Sequence, residues 1–313
     1  MSQTPLQPPV SSDVISPSPD ARRRPITDVA ADYLALTKPR IISLLLFTSV
    51  AALVAASRGW PSVTTTLAVL AGGTLAAGGA NAVNCAIDGD LDRKMSRTRQ
   101  RPVPAGRIAP ASAASYGAAL ITAAVAWLWL GATPLSALLA LMGAAWYVGV
   151  YTLWLKRRTP QNIVIGGAAS CFPPLVGWAA ATGGLDATAV TLAAVILLWT
   201  PPHFWALATM LRGDYERAGV PMLPVVARPS SVARQMRWYA AGTVLVSLLP
   251  ALWGGLDWFY TTAALLLGVR FLRLTWDYPQ ARPRAAARLF HYSLLYLFLL
   301  FLAVGLAQSL TRL

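Results

Sequence analysis

Three of the twelve acidic residues in this 313-residue chain, Asp88, Asp90 and Asp92, fall within five positions, with Asn84 just before them. Asn84, Asp88 and Asp92 are spaced i, i+4, i+8, so a continuing helix sets them on one face about 6 Å apart. Hard oxygens at that spacing suit Mg2+, which takes one or two carboxylates and completes its octahedron with water and phosphate oxygens. A solvated helix end, its acids neutralised by Arg93 and Lys94, accounts for the spacing equally well. The neighbouring cations favour the first account. Arg93, Lys94, Arg97, Arg99 and Arg101 follow the acids directly, and an anion bridged to a metal by carboxylates also needs positive charge for its remaining oxygens. Acids embedded among arginines at helical spacing describe a diphosphate site.

The elements that must position these groups are apolar. Hydrophobic side chains make up 56% of the chain and charged ones only 12%, against about 25% charged in an ordinary soluble protein. This excludes a soluble two-domain protein and a disordered one, and two cysteines are too few for a disulfide scaffold. Cys85 and Cys171 sit in apolar surroundings and read as buried thiols. The net charge of +14 is dispersed between apolar blocks instead of forming one patch, which excludes a nucleic-acid surface. Nine blocks have about the 17 to 25 residues that cross a bilayer as a helix: 39–57, 64–87, 113–131, 134–155, 163–182, 187–210, 237–255, 258–275 and 289–309. Such unbroken runs specify helices, because barrel strands alternate over about ten residues. The expected fold is therefore an all-α polytopic bundle of nine transmembrane helices.

Of the 26 lysines and arginines, all but Arg58 and Arg312 fall in the tail and alternate connections. The positive-inside rule then puts the N-terminus and the acidic cluster on the cytoplasmic side and the C-terminus outside, in the cell inner membrane. Trp60, Trp253, Trp258 and Tyr260 near the outer ends fit an interfacial belt. Residues 1–32, rich in Pro, Ser, Thr and Gln, read as a disordered tail, and 33–313 as one membrane domain. The connections 88–112 and 211–236 are far longer than a turn requires, as functional loops tend to be.

The run NCAIDGDLDRKMSRTRQRP from Asn84 to Pro102 resembles the first aspartate motif, NxxxDxxxD, of the UbiA-type intramembrane prenyltransferases. Four further segments resemble the protoheme IX farnesyltransferase (heme O synthase) branch of that family: LTKPR at 36–40, YTLWLKRRTPQNIVIGG at 151–167, WTPPHFWALA at 199–208 and DYERAGVPMLPVV at 214–226. The resemblance runs from about 33 to 308 and includes FHYSLLYLFLLFLA in the last apolar block. Many relatives carry a second DxxxD pair, whereas here Asp214 is followed four positions on by Ala218, with Glu216 between. This fits the narrower branch and leaves the second metal site less defined.

The resemblance implies transfer of the farnesyl group of farnesyl diphosphate to a vinyl group of heme B, dependent on Mg2+, with heme A synthase as a downstream partner. Carried over residue by residue, it implies metal binding at Asp88, Asp92 and Asp214, with Tyr215 beside the last, and diphosphate contacts at Asn84, Arg97, Arg101 and Lys156. Lys156 reads equally well as a topology charge at a helix end. His203, inside an apolar block after Pro201 and Pro202, is a candidate heme ligand, since imidazole binds heme iron and ionisable groups within the membrane usually serve function. A helix-to-helix hydrogen bond is the competing account. His291, beside Arg288, is the weaker heme candidate. Trp199, Phe204 and Trp205 would line a porphyrin or prenyl pocket, or simply pack. Two other readings compete: a prenyltransferase acting on an aromatic acid such as 4-hydroxybenzoate, which has no reason to keep WTPPHFWALA, and a secondary transporter, whose acids would lie at mid-membrane and not at an interface.

Overall fold

The computed structural model describes residues 25–252, 256–278 and 283–310, and all regular structure among them is helical. The elements are α1 (Ile26–Thr37), α2 (Pro39–Ala56), α3 (Val63–Ile87), α4 (Gly89–Lys94), α5 (Pro110–Gly131) and α6 (Pro134–Ala145). The last widens into a π-helix, Trp146–Leu155. Then come α7 (Asn162–Gly166), joined by the 3-10 turn Gly167–Cys171 to α8 (Phe172–Thr182), and α9 (Ala187–Met210). The short α10 (Arg212–Ala218) and α11 (Leu223–Val226) precede three long helices, α12 (Pro229–Leu252), α13 (Trp258–Trp276) and α14 (Pro283–Leu310).

The two ends of the bundle are built differently. At one end the chain turns tightly and side chains start the next helix: Ser62 accepts from the Thr65 N–H, Thr133 forms a capping box with Ser136, and Asp186 and Asp257 accept from the Ala189 and Tyr260 N–H groups. At the other end two connections, 88–109 and 211–228, are long, hold the short helices α4, α10 and α11, and carry the acidic residues of the site. Close helix packing fixes the spacing between them. The α3–α5 crossing needs glycine on both sides, because a Cβ on Gly79 would stand 2.6 Å from the Gly117 carbonyl oxygen. In the other half, α9 packs between α12 and α14.

Seven helical segments are long and apolar enough to cross a membrane: 39–56, 63–87, 110–131, 134–155, 162–182, 187–210 and 283–307. Each coincides with an expected block to within a few residues, except that the last begins six earlier. The other two expected crossings correspond to α12 and α13, which are helical but fall short in apolar content. Gln235 and Arg237 dilute α12, and Arg270 and Arg273 dilute α13, so composition alone does not support a count of nine.

Two local expectations change. Residues 26–32, assigned to the tail by composition, form the first turns of α1; the tail up to residue 24 lies outside the described residues, as do Trp253, Arg282 and Arg312. Trp60 and Trp258 are exposed as an interfacial belt requires, but Tyr260 is fully buried. Its hydroxyl donates to the Ser247 carbonyl at 2.7 Å, which makes it a core contact between α12 and α13.

Candidate active site

The acidic cluster lies where α3 passes into α4. Asp88 is the residue between the two helices, at φ −89° and ψ 9°, yet the backbone ladder runs through it: Asp88 N–H reaches the Asn84 carbonyl at 2.9 Å and Asp92 N–H the Asp88 carbonyl at 2.8 Å. The i, i+4, i+8 register therefore survives. Asn84, Asp88 and Asp92 are buried on one face while Asp90 points outward.

Around this face the chain gathers cations. The Asn84 side-chain oxygen accepts from the Lys38 ammonium at 2.8 Å, and the Asn84 amide donates to Asp88 Oδ2 at 2.7 Å and to the Thr152 hydroxyl at 3.1 Å. Lys156 also bonds Asp88 Oδ2, which places this lysine at the cluster. Arg101 donates to Asp92 Oδ2 at 2.9 Å. Asp90 is held by both Nη atoms of Arg157 at 2.7 Å, and that guanidinium pulls its carboxyl below the usual range. Burial pushes the Lys38 ammonium down from its ordinary value.

Asp214, on α10, meets the first loop. It accepts from the Ser96 hydroxyl at 2.8 Å and the Ser96 N–H at 3.2 Å, and pairs with Arg217. Burial works to raise its carboxyl, but the Ser96 bonds, the Arg97 backbone and Arg217 outweigh it, leaving the pKa below the ordinary value. Beneath it, Tyr215, Met222 and Val220 pack with Leu91 and Met95 of the first loop, Tyr151 of the π-helix and Phe204 of α9. The two sequence-remote loops thus share one small apolar core. Arg97 is exposed, and its guanidinium makes no ion pair among the described residues.

The carboxylates do not form a cage. Among the described residues no three His, Cys, Asp or Glu side chains converge as a metal-holding group, so Asp214 is not brought into one ligand set with Asp88 and Asp92. One feature does fit a hard cation. Asp88 Oδ1 is buried without any hydrogen bond, Arg157 being 3.7 Å away, while Oδ2 takes both neighbouring donors. A buried carboxylate oxygen with no hydrogen bond and only this long ion pair is costly unless something else binds it. One or two carboxylates at such a face suit Mg2+, which draws its other ligands from water and phosphate.

His203 lies in the interior of α9. Its ring stacks on Trp199 at 4.3 Å and on Phe290 at 4.8 Å, and Nδ1 lies 2.7 Å from the Ser293 hydroxyl of α14. Ser293 donates its one proton to the Phe290 carbonyl at 2.6 Å, so it must accept from Nδ1–H. The ring is then the tautomer that leaves Nε2 with its lone pair. A helix-to-helix hydrogen bond is therefore present, and it also prepares the nitrogen a metal would use. His291 is exposed, with Nδ1 bonded to the Ala287 carbonyl at 2.7 Å and its ring edge-on to Phe290 at 5.3 Å.

Sequence reasoning missed Thr152, Ser96 and Asn81, whose amide holds the Thr37 carbonyl at 2.9 Å and so anchors the segment leading to Lys38. Lys38 and Arg157 were read only as cations of the connections. Small hydroxyl and amide side chains carry no signal until their partners are known.

Comparison with known proteins shows the family. A curated "Protoheme IX farnesyltransferase" of Chloroflexus aurantiacus is 50% identical over 277 residues, covering 88% of this chain but 47% of the relative, so the chain spans about half the length of that protein. A protein of the same name from Deinococcus radiodurans is 46% identical over 291 residues, covering 89% of this chain and 93% of the relative. Another from Saccharopolyspora erythraea is 46% identical, with 96% of each covered. Among solved structures, digeranylgeranylglyceryl phosphate synthase superposes with a TM-score of 0.74 at 17% identity, covering 90% of this chain and 99% of that one. A UbiA homolog from Archaeoglobus fulgidus bound to GPP and Mg2+ gives 0.61 at 16%, covering 87% and 99%; at these identities the likeness is one of fold. The UbiA prenyltransferase family profile matches residues 45–308, and with relatives of this identity across most of its length the chain belongs to the UbiA prenyltransferase family.

Proposed function

We propose that this protein transfers the farnesyl group of farnesyl diphosphate to a vinyl group of heme B. The products are heme O and diphosphate, and water supplies the hydroxyl of the new side chain. The observation that carries the reading is the buried Asp88 Oδ1, which has no hydrogen bond and only a long ion pair to Arg157, on a face ringed by Lys38, Arg101 and Lys156. The names of the relatives support the substrates. Breaking the allylic carbon–oxygen bond builds negative charge on diphosphate, and groups fixed in advance where that charge appears lower the barrier. Lys156, Arg101 and the uncommitted Arg97 take that role, with Asn84 holding Asp88 in place. Bound at Asp88 and Asp92, Mg2+ would neutralise the departing diphosphate as a Lewis acid. Asp214 acts chiefly by tying α10 to the first loop, which packs Tyr215 onto the same small core as Tyr151.

The apolar interior takes the farnesyl chain and keeps water from the allylic cation until the vinyl carbon has attacked it. The resulting cation at the porphyrin edge then captures water, which loses a proton. His203 holds the heme through Nε2. Product leaves for heme A synthase, the class of enzyme that oxidises heme O. Residues 33–313 act as one membrane domain with the site on the cytoplasmic side of the cell inner membrane, as the cation distribution supports. Thiol labelling from outside the cell should reach cysteines placed at 184 or 257 and not at 100 or 230; labelling at 230 would reverse the orientation. The activity itself is tested by incubating purified protein with heme B, farnesyl diphosphate and Mg2+ and weighing the extracted heme. Folded protein that yields no farnesylated heme ends the proposal.

A further inference from the structure

Ten consecutive residues of π-helix, Trp146–Leu155, are unusual, since this form normally occurs as single turns and often at functional sites. The segment ends at the cluster: Lys156, whose N–H reaches back five residues to the Tyr151 carbonyl at 2.9 Å, bonds Asp88 with its side chain. Thr152 is fully buried one turn before it. Its hydroxyl donates to the Tyr147 carbonyl at 2.8 Å, also five residues back, and accepts from Asn84 at 3.1 Å.

The direction of every bond here is forced. An ammonium only donates and a carboxylate only accepts, so the Asn84 amide must turn its oxygen to Lys38 and its NH2 to Asp88. One amide hydrogen goes to Asp88 Oδ2. The other needs an acceptor, and Thr152 supplies it because its own proton is already used on the π-helix. Asn84 and Lys156 therefore both bind Oδ2, and Oδ1 is left without a hydrogen bond, facing only the Arg157 guanidinium at 3.7 Å.

We infer that Thr152 is a positioning residue for the metal site: through Asn84 it fixes which oxygen of Asp88 is offered to the cation, and it locks the π-helical register that delivers Lys156 to the same carboxylate. The inference rests on the diphosphate–metal reading of this face but not on heme as the acceptor. Without the Thr152 oxygen, a buried amide hydrogen loses its partner and Asn84 is free to rotate away from Asp88.

The test measures binding of Mn2+ in the presence of inorganic diphosphate, by electron paramagnetic resonance on purified full-length protein, alongside the Mg2+ dependence of turnover. Thr152→Val keeps the shape and removes the acceptor. Groups that orient metal ligands typically change metal affinity by about 10- to 100-fold, so at least a tenfold weakening is expected, with a matching rise in the Mg2+ needed for half-maximal rate. Thr152→Ser should restore both to within about twofold. Equal Mn2+ affinity in folded Thr152→Val overturns the inference, as does a serine variant as weak as valine, which would assign the effect to packing of the methyl group. Should Thr152→Val not fold, Thr152→Ala against Thr152→Ser makes the same comparison. Wild-type protein that binds Mn2+ and diphosphate but does not farnesylate heme would sink the heme assignment and leave this inference standing.

Discussion

The Asp88 face and the His203 pocket lie in one bundle and solve opposite problems. At Asp88 polar groups are dense: five side chains, Lys38, Asn84, Asp88, Thr152 and Lys156, form one connected network. At His203 a single polar thread, His203 to Ser293 to the Phe290 carbonyl, is sandwiched between aromatic faces. The first arrangement suits a reacting group whose charge changes, because fixed dipoles and ions act strongly where water is excluded. The second is a packed aromatic layer with one hydrogen bond joining α9 to α14, and it is where we propose that heme is met. The difference teaches that charge stabilisation demands many coordinated partners, whereas recognition of an apolar plane needs mainly shape and one directed atom.

The contrast predicts unequal consequences of mutation. Asp88→Ala and Asp92→Ala should each reduce turnover by at least about a hundredfold to a thousandfold, the scale seen when one preorganised charge-stabilising group is lost. Each buried carboxylate also holds a cation, so thermal stability should fall as well, by about 3 to 5 kcal/mol, and near-normal turnover at limiting Mg2+ in either variant would remove that residue from the metal set. Lys156→Met should lower kcat/KM by about 10- to 150-fold, since hydrogen bonds to charged groups are worth about 1.5 to 3 kcal/mol. An unchanged kcat/KM would return Lys156 to the role of a topology charge.

His203→Ala should weaken heme B binding by about tenfold, or about 1.4 kcal/mol, and shift the heme absorption bands while leaving farnesyl diphosphate affinity intact. If the spectrum and affinity stay as in wild type, the histidine is only a bridge between α9 and α14, and the comparison loses its second region. The smallest effect belongs to Asp90→Ala. Its pair with Arg157 is exposed, and such pairs contribute under about 1 kcal/mol, so kcat/KM should change less than about fivefold. A loss as large as that of Asp88→Ala would show that the outward face takes part in the chemistry after all.

Much of this was written in local sequence. Long apolar runs fixed most of the helices, because a backbone in hydrocarbon must satisfy its own hydrogen bonds. The spacing of Asn84, Asp88 and Asp92 predicted one shared face, and it survived because the helical ladder continues through Asp88. Where composition was mixed, the reading loosened. The apolar content of α12 and α13 does not support crossing by itself, and Tyr260 turned out to be a core hydrogen-bond donor and not an interfacial anchor.

What only the tertiary structure decided is who meets whom. Lys38 joins Asn84 across 46 positions, Thr152 joins it across 68, and Ser96 joins Asp214 across 118. Periodicity reports the direction in which a side chain leaves its own helix, and nothing about which distant loop arrives opposite. That depends on helix crossings such as the one at Gly79 and Gly117 and on the packing of the two loops over Leu91, Met95 and Met222. The sequence determined that this chain would place acids and arginines together at one end of an apolar bundle; the fold determined that the two oxygens of Asp88 would differ, one hydrogen-bonded by Asn84 and Lys156 and the other facing only Arg157.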